Sequence, residues 1–192
     1  MTGQGVQIEL ILTTSPLERV EGDIAVAGFF SDERPLRGGA ARADWRLCGG
    51  LSRRIESGDL SGKSGEALLI ACGRALWSPR LLLLGLGDRH VFDPLRVADE
   101  TREALDRCRK LRCERVALAP LGIAADDVPR HAAALVAGIR DAWRDAERPM
   151  SLHLCVPRPE VSGVRRAFED AARAAGAGEL AVSVPDPAVD SP

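Results

Sequence analysis

The 192-residue chain has no tyrosine, four phenylalanines and three tryptophans, so aromatic residues make up 4% of it. A site that stacks a nucleobase on side-chain rings would have few rings to draw on. Histidine is scarcer still, with three residues. His90, His131 and His153 are far apart and belong to no H-E-x-x-H pattern, so a histidine-built metal centre is not expected. Long apolar runs are missing too: Leu81–Leu84 is far too short to span a bilayer. The opening Met1-Thr2-Gly3-Gln4-Gly5 lacks the basic start and apolar stretch of a signal peptide. Charge of one sign is also missing. Twenty-six Lys+Arg against 28 Asp+Glu leave a formal charge of −2, which gives no electrostatic reason to expect a nucleic acid or a membrane as partner. The five cysteines, Cys48, Cys72, Cys108, Cys113 and Cys155, are odd in number and scattered. They read as free thiols of a cytoplasmic protein, not as a disulfide framework.

What the chain does have is an ordinary globular composition, 45% apolar and 28% charged. Its length suits about one domain, which buries about 70% of the surface of its unfolded chain. The expected domain runs over 1–184, with 185–192 a fraying tail. The basic residues are arginine except for Lys63 and Lys110.

Apolar periodicity predicts strands at Val6–Leu12 and Asp23–Phe30, a loop at Arg34–Arg42, and one helix at Ala43–Ile55 with Trp45, Cys48, Leu51 and Ile55 on a common face. A glycine-punctuated turn, Ser57–Glu66, leads to a strand at Ala67–Cys72. The leucine strand Arg80–Leu84 is expected to be covered on both faces. Asp93-Pro94 opens a helix with an apolar stripe of Leu95, Ala98, Leu105, Cys108 and Leu111. Strands follow at Glu114–Ala119, Ser151–Val156 and Leu180–Val184, with helices at Pro129–Ala146 and Glu160–Ala175. Strand and helix alternate through the second half, which predicts an α/β three-layer sandwich: a mixed, mostly parallel sheet flanked by helices.

Chemistry-bearing motifs are sparse. Gly58-Asp59-Leu60-Ser61-Gly62-Lys63-Ser64 is similar to a phosphate-binding loop, but its glycines are too close together and it follows a helix, so a tight connection is expected. Gly85-Leu86-Gly87-Asp88-Arg89-His90 leaves a strand end, where open α/β sheets bind ligands. Gly85, Gly87, Asp88, Arg89 and His90 are therefore the candidate ligand-binding residues, with a structural turn as the alternative. Cys108 and Cys113 have C-x4-C spacing without a second pair, and no G-x-S-x-G elbow occurs. No catalytic residue, metal ligand or cofactor site is assigned. Cys72 and Cys155 sit in apolar segments where burial should make a thiol inert. Arg165, Arg166 and Arg173 alternate with Glu169 and Asp170 as on a solvated helix.

Taken in order, several segments resemble one family. They are Asp23–Phe30, Gly50-Leu51-Ser52-Arg53-Arg54-Ile55, Gly58-Asp59-Leu60-Ser61-Gly62-Lys63-Ser64-Gly65-Glu66, and Leu82-Leu83-Leu84-Gly85-Leu86-Gly87 followed by Leu95-Arg96-Val97-Ala98. The succession is similar to the N-terminal domain of the leucyl (cytosol) aminopeptidase family, with its G-D-F-x-G-K-x-G-E turn and V-G-L-G strand end. Leu60 stands where that family usually has Phe, and Asp88 where a Lys commonly follows. The resemblance implies a macro-like α/β fold and a non-catalytic role in assembly. The family's metal-binding carboxylates lie in an N-T-D-A-E-G-R motif of a further domain, and no such motif occurs in these 192 residues. The resemblance therefore implies an assembly or regulatory module rather than an enzyme, partnered by copies of itself or by a full-length aminopeptidase chain. The alternative is a module that binds a nucleotide or an ADP-ribose-like ligand.

Overall fold

Seven apolar segments line up as one sheet in the computed structural model, which describes residues 8–144, 148–156, 161–177 and 180–184. The strands are β1 (Ile8–Thr13), β2 (Ile24–Phe29), β3 (Ala67–Ala71), β4 (Arg80–Gly85), β5 (Arg115–Leu118), β6 (Met150–Cys155) and β7 (Leu180–Ser183). Their spatial order is β3-β4-β2-β5-β6-β1-β7. Every pairing is parallel except β3 with β4. The mixed, mostly parallel sheet expected from the sequence is thus present.

Helices cover both faces. On one side α3 (Pro94–Lys110), α4 (Ala132–Trp143) and α5 (Val161–Ala174) close over a core that includes Leu10, Ile24, Val26, Leu82, Leu84, Val116 and Leu152. On the other, α1 (Gly38–Arg46) and α2 (Gly50–Glu56) pack on Ala25, Ala27, Leu81, Leu83 and Ala117. Adjacent leucines of β4 thus serve opposite layers, which is why the strand reads as an unbroken apolar run.

Two expectations about helices are corrected. The segment read as one helix, Ala43–Ile55, is two, and the first begins at Gly38 inside the segment read as a loop. Cys48 and Gly49 adopt φ of 53° and 76°, a left-handed turn that ends α1 and re-aims the chain. Asp44 bridges the break. Its Oδ1 accepts the Leu51 and Ser52 N–H groups at 2.8 and 3.1 Å, capping α2 from the preceding helix. The supposed common face is therefore split: Leu51 is buried, whereas Trp45 and Cys48 are exposed. In α3, Asp93 caps the helix as expected by accepting from the Arg96 N–H at 3.0 Å. Its buried residues, however, are Val97, Glu100, Thr101, Ala104, Leu105 and Cys108, and Leu95 lies 76% exposed before the helix reaches the core.

Smaller differences concern boundaries. Pro129–His131, read as the first turn of α4, belong to a 3-10 segment, Ala125–His131. Residues 6–7, 145–147, 160 and the expected tail 185–192 lie outside the described residues. Among the described residues no helix is long and apolar enough to cross a membrane.

Candidate functional site

β2 and β4 are neighbours, yet the chain leaves β2 toward α1 on one face and leaves β4 toward α3 on the other. Such a reversal opens a crevice at the carboxyl ends of the strands, the usual ligand position in open α/β sheets. The two loops that meet there are Phe30–Arg37 and Leu86–Phe92, and the second carries Asp88, Arg89 and His90. The sequence reading missed their partners, Asp32 and Glu33, which follow β2. The available signal was an acidic pair three residues past the end of an apolar strand.

The loops bind chiefly each other. Asp88 Oδ1 accepts the His90 N–H at 2.8 Å, capping a short 3-10 turn at Arg89–Val91. Asp32 Oδ1 accepts the Arg89 N–H at 3.1 Å, and His90 Nε2 lies 3.7 Å from Asp32 Oδ2. The Arg89 N–H, with His90 and Arg89 nearby, holds the Asp32 carboxyl below its ordinary value. The Arg89 guanidinium pairs with Glu33 and stands over the Phe30 ring, 5.5 Å from its centroid. Phe30 in turn meets Phe92 edge to face at 5.1 Å. Asp32, Asp88 and His90 bring three ligand atoms within 4.8 Å of one another, so they are the described residues able to share a cation. All three are exposed.

Gly85 and Gly87 have an internal partner. The Gly85 N–H donates to the Glu66 carbonyl and the Gly87 N–H to the Gly62 carbonyl, both at 2.8 Å. A Cβ on Gly85 would run into the Lys63 carbonyl oxygen and come within 2.8 Å of the Gly62 carbonyl carbon. The backbone that approaches this glycine so closely is that of the 61–66 turn. Glu66 shapes that turn, its Oε2 accepting from the Ser61 and Gly62 N–H groups at 3.0 and 2.6 Å. Below it, Ser64 Oγ receives Arg96 Nη2 at 2.5 Å and donates to the buried Glu100 at 3.4 Å. Burial above all, with Glu103 adding to it, pushes the Glu100 carboxyl up. The segment resembling a phosphate loop is therefore a connection fastened to the β4 end.

The remaining candidates separate. His131 Nδ1 lies 3.0 Å from the Asp127 carbonyl oxygen, and burial pulls the His153 imidazole down. Arg165 pairs with Glu169 and Arg173 with Asp170 on α5. Burial raises the Cys72 thiol and pushes Cys155 up to about 12. Cys108 and Cys113 close the end of α3: Arg112 takes φ 56°, and the Cys113 N–H donates to the Cys108 carbonyl at 3.0 Å. Two open clefts, of about 480 Å³ beside α5 and β7 and about 500 Å³ near Glu9 and Glu114, lie away from these loops.

Comparison with known proteins adds a family to this geometry. Residues 26–145 match the model of the cytosol aminopeptidase family, N-terminal domain. A probable cytosol aminopeptidase of Alkaliphilus metalliredigens is 27% identical over 101 residues, which are 53% of this chain and 20% of that protein. The chain thus aligns with about a fifth of this curated relative. A solved tomato leucine aminopeptidase variant superposes with a TM-score of 0.63 at 17% identity, over 90% of this chain and 38% of that one. The Oceanobacillus iheyensis macrodomain with ADP superposes with a TM-score of 0.64 at 10% identity, over 85% of this chain and 91% of that one. At these identities the superpositions establish a shared macrodomain-like fold.

Proposed function

The chain belongs to the cytosol aminopeptidase family, whose N-terminal domain it matches over residues 26–145, and on that premise we propose that it is a non-catalytic assembly or regulatory module. In this reading it associates with itself or with a full-length aminopeptidase chain in the cytoplasm. The observation that carries the reading is a set of large apolar side chains left in solvent: Trp45, Leu69, Trp77, Val91 and Leu95. Tryptophan is enriched in buried contact patches, so two exposed tryptophans favour a surface that is covered in use. Both belong to one region. Arg46, next to Trp45, donates through Nε to the Ala75 carbonyl at 2.8 Å, which ties the end of α1 to the loop carrying Trp77. The polar groups at the crevice are already turned on one another, and this supports a role without chemistry of its own.

Sedimentation velocity and native mass spectrometry on the chain, alone and mixed with a full-length family aminopeptidase, test the proposal. A defined self-assembly or mixed complex supports it. A chain that stays monomeric and leaves the aminopeptidase's sedimentation and rate unchanged refutes it.

A second reading is favoured by the crevice itself. Gly85, Gly87, Asp88, Arg89 and His90 stand, with Asp32, where β2 and β4 send the chain to opposite faces, and the macrodomain neighbour of the same fold was solved with ADP. In this alternative a nucleotide or ADP-ribose-like ligand binds there. Titration calorimetry decides: heat that Arg89→Ala abolishes supports it, and no heat at millimolar ligand dismisses it.

A further inference from the structure

We propose that β3 pairs with β3 of a second copy of this chain, antiparallel about a two-fold axis at Leu69, so that two seven-stranded sheets become one. The inference rests on the assembly reading and gives it a surface and a partner. β3 ends the sheet, and its register with β4 advances one residue at a time from Ala67 opposite Leu84 to Ala71 opposite Arg80, without a bulge. At its two ends the Glu66 carbonyl accepts from Gly85 and the Cys72 N–H donates to Pro79, both at 2.8 Å. Glu66, Leu68, Ile70 and Cys72 therefore turn their backbone groups toward β4. The alternation of an antiparallel ladder turns those of Ala67, Leu69 and Ala71 outward.

Natural sheets protect such an edge with charge, proline, a bulge or a covering element. None of the residues Ala67–Ala71 is charged or a proline, and Ala67, Leu69 and Ala71 are all exposed. The strand is also self-complementary. Ala-Leu-Leu-Ile-Ala runs small, large, large, large, small in both directions, as a self-paired interface requires. With Leu69 opposite its own copy, Leu68 faces Ile70 and Ala67 faces Ala71, and about six N–H···O=C bonds close the ladder.

Side chains agree with the backbone. Leu69 stands in register with Leu82, on the face covered by α3, yet it remains 45% exposed. Leu68 and Ile70 stand in register with Leu83 and Leu81 and pack, partly buried, on the α1–α2 side. Across the axis the two Leu69 side chains cover each other, and each Leu68 meets an Ile70, an aliphatic pairing of the kind that stabilises sheets. The opposite edge, β7, reads Leu-Ala-Val-Ser and has no such symmetry.

Sedimentation equilibrium on the full chain, from micromolar to near-millimolar concentration, measures the pairing, because so short an edge associates weakly. The expected result is a concentration-dependent dimer. Leu69→Lys should raise its dissociation constant tenfold or more by setting two ammonium groups opposite each other, with the monomer's thermal midpoint unchanged. Ala137→Lys, at an exposed site on α4 far from this edge, should leave the constant unchanged. Directly opposed Cα atoms lie about 5.5 Å apart, within disulfide reach. Leu69→Cys in a Cys48→Ser background should therefore cross-link when oxidised glutathione takes up the two electrons and two protons of the paired thiols. A dimer that Leu69→Lys does not weaken, or that Leu69→Cys fails to cross-link, overturns the edge pairing and leaves the assembly reading standing on another surface. A chain that is monomeric throughout also overturns it, and the mixing experiment with the aminopeptidase then decides the assembly reading separately.

Discussion

Gly85, at the end of β4, faces the carbonyl oxygen of Lys63 across a gap too small for a methyl group. This contact joins two segments that the sequence presents as separate motifs, the glycine-rich strand end and the turn resembling a phosphate loop. It explains both as packing of one backbone on another.

Gly85→Ala should therefore cost about 3 kcal/mol, because the added carbon meets main chain and not a side chain that can swing away. Yielding means loosening the 2.8 Å bond from the Gly87 N–H to the Gly62 carbonyl. Urea unfolding of the variant measures the loss; a change below about 0.5 kcal/mol would show that the turn is free to move.

Glu100 should make the protein less stable as pH rises. Burial raises its carboxyl above the ordinary 4.5, so the folded state holds the proton more tightly than the unfolded chain does. The associated stability is fully present below 4.5 and is lost as pH climbs through the raised value. Glu100→Gln should accordingly melt higher than the parent at neutral pH, with the difference closing in acid. At this chain length each kcal/mol moves the midpoint by about 2–4 °C. Melting curves of both proteins at pH 7 and pH 4 test this, and an equal gap at both would contradict it.

Asp23 should act with the opposite sign. Partial burial, its largest single influence, works to raise the carboxyl. The Arg115 and Glu114 N–H groups, with the charges of Arg115 and Arg80, outweigh it and hold the carboxyl below 3.8. Its Oδ2 accepts from Glu114 and Arg115 at 2.7 and 2.9 Å, fastening the start of β5 beside β2. The stability it adds is present above pH 3.8 and disappears as pH falls through the lowered value. Asp23→Ala should cost about 1–2 kcal/mol at neutral pH and progressively less in acid. Denaturant midpoints across that range would show a flat difference if the carboxylate plays no part.

Thiol labelling should single out Cys48. It is exposed, whereas Cys72 and Cys108 are buried with raised thiols and Cys155 is pushed up to about 12. Cys113 is held lower by its hydrogen bond with Cys108 but lies only 5% exposed. A disulfide reagent at neutral pH should meet one fast thiol in the native protein and none in Cys48→Ser. A fast thiol surviving in that variant would place another cysteine within reach.

The layered architecture was legible because strand and helix periods are local properties. The β4 leucine run, the capped start of α3 and the alternation of the second half each announce themselves in a few residues. The crevice was half legible. Asp88, Arg89 and His90 could be placed at a strand end, but Asp32 and Glu33 lie in the loop after a different strand and meet them only because β2 and β4 are neighbours in the sheet. The break between α1 and α2 was hidden for a different reason. It depends on a left-handed Cys48 and on the reach of Asp44 to Leu51, and neither disturbs the apolar spacing.

By itself the sequence determined the seven strands, the helices α3, α4 and α5, the layered sheet and the family resemblance, since hydrophobic period and turn chemistry act over a few residues. The tertiary structure alone decided where Leu95 and Trp45 point, what occupies the space beside Gly85, and that Ala67–Ala71 ends as an open edge. These depend on the phase of a helix against the sheet and on contacts between residues distant in the chain, which no local pattern encodes.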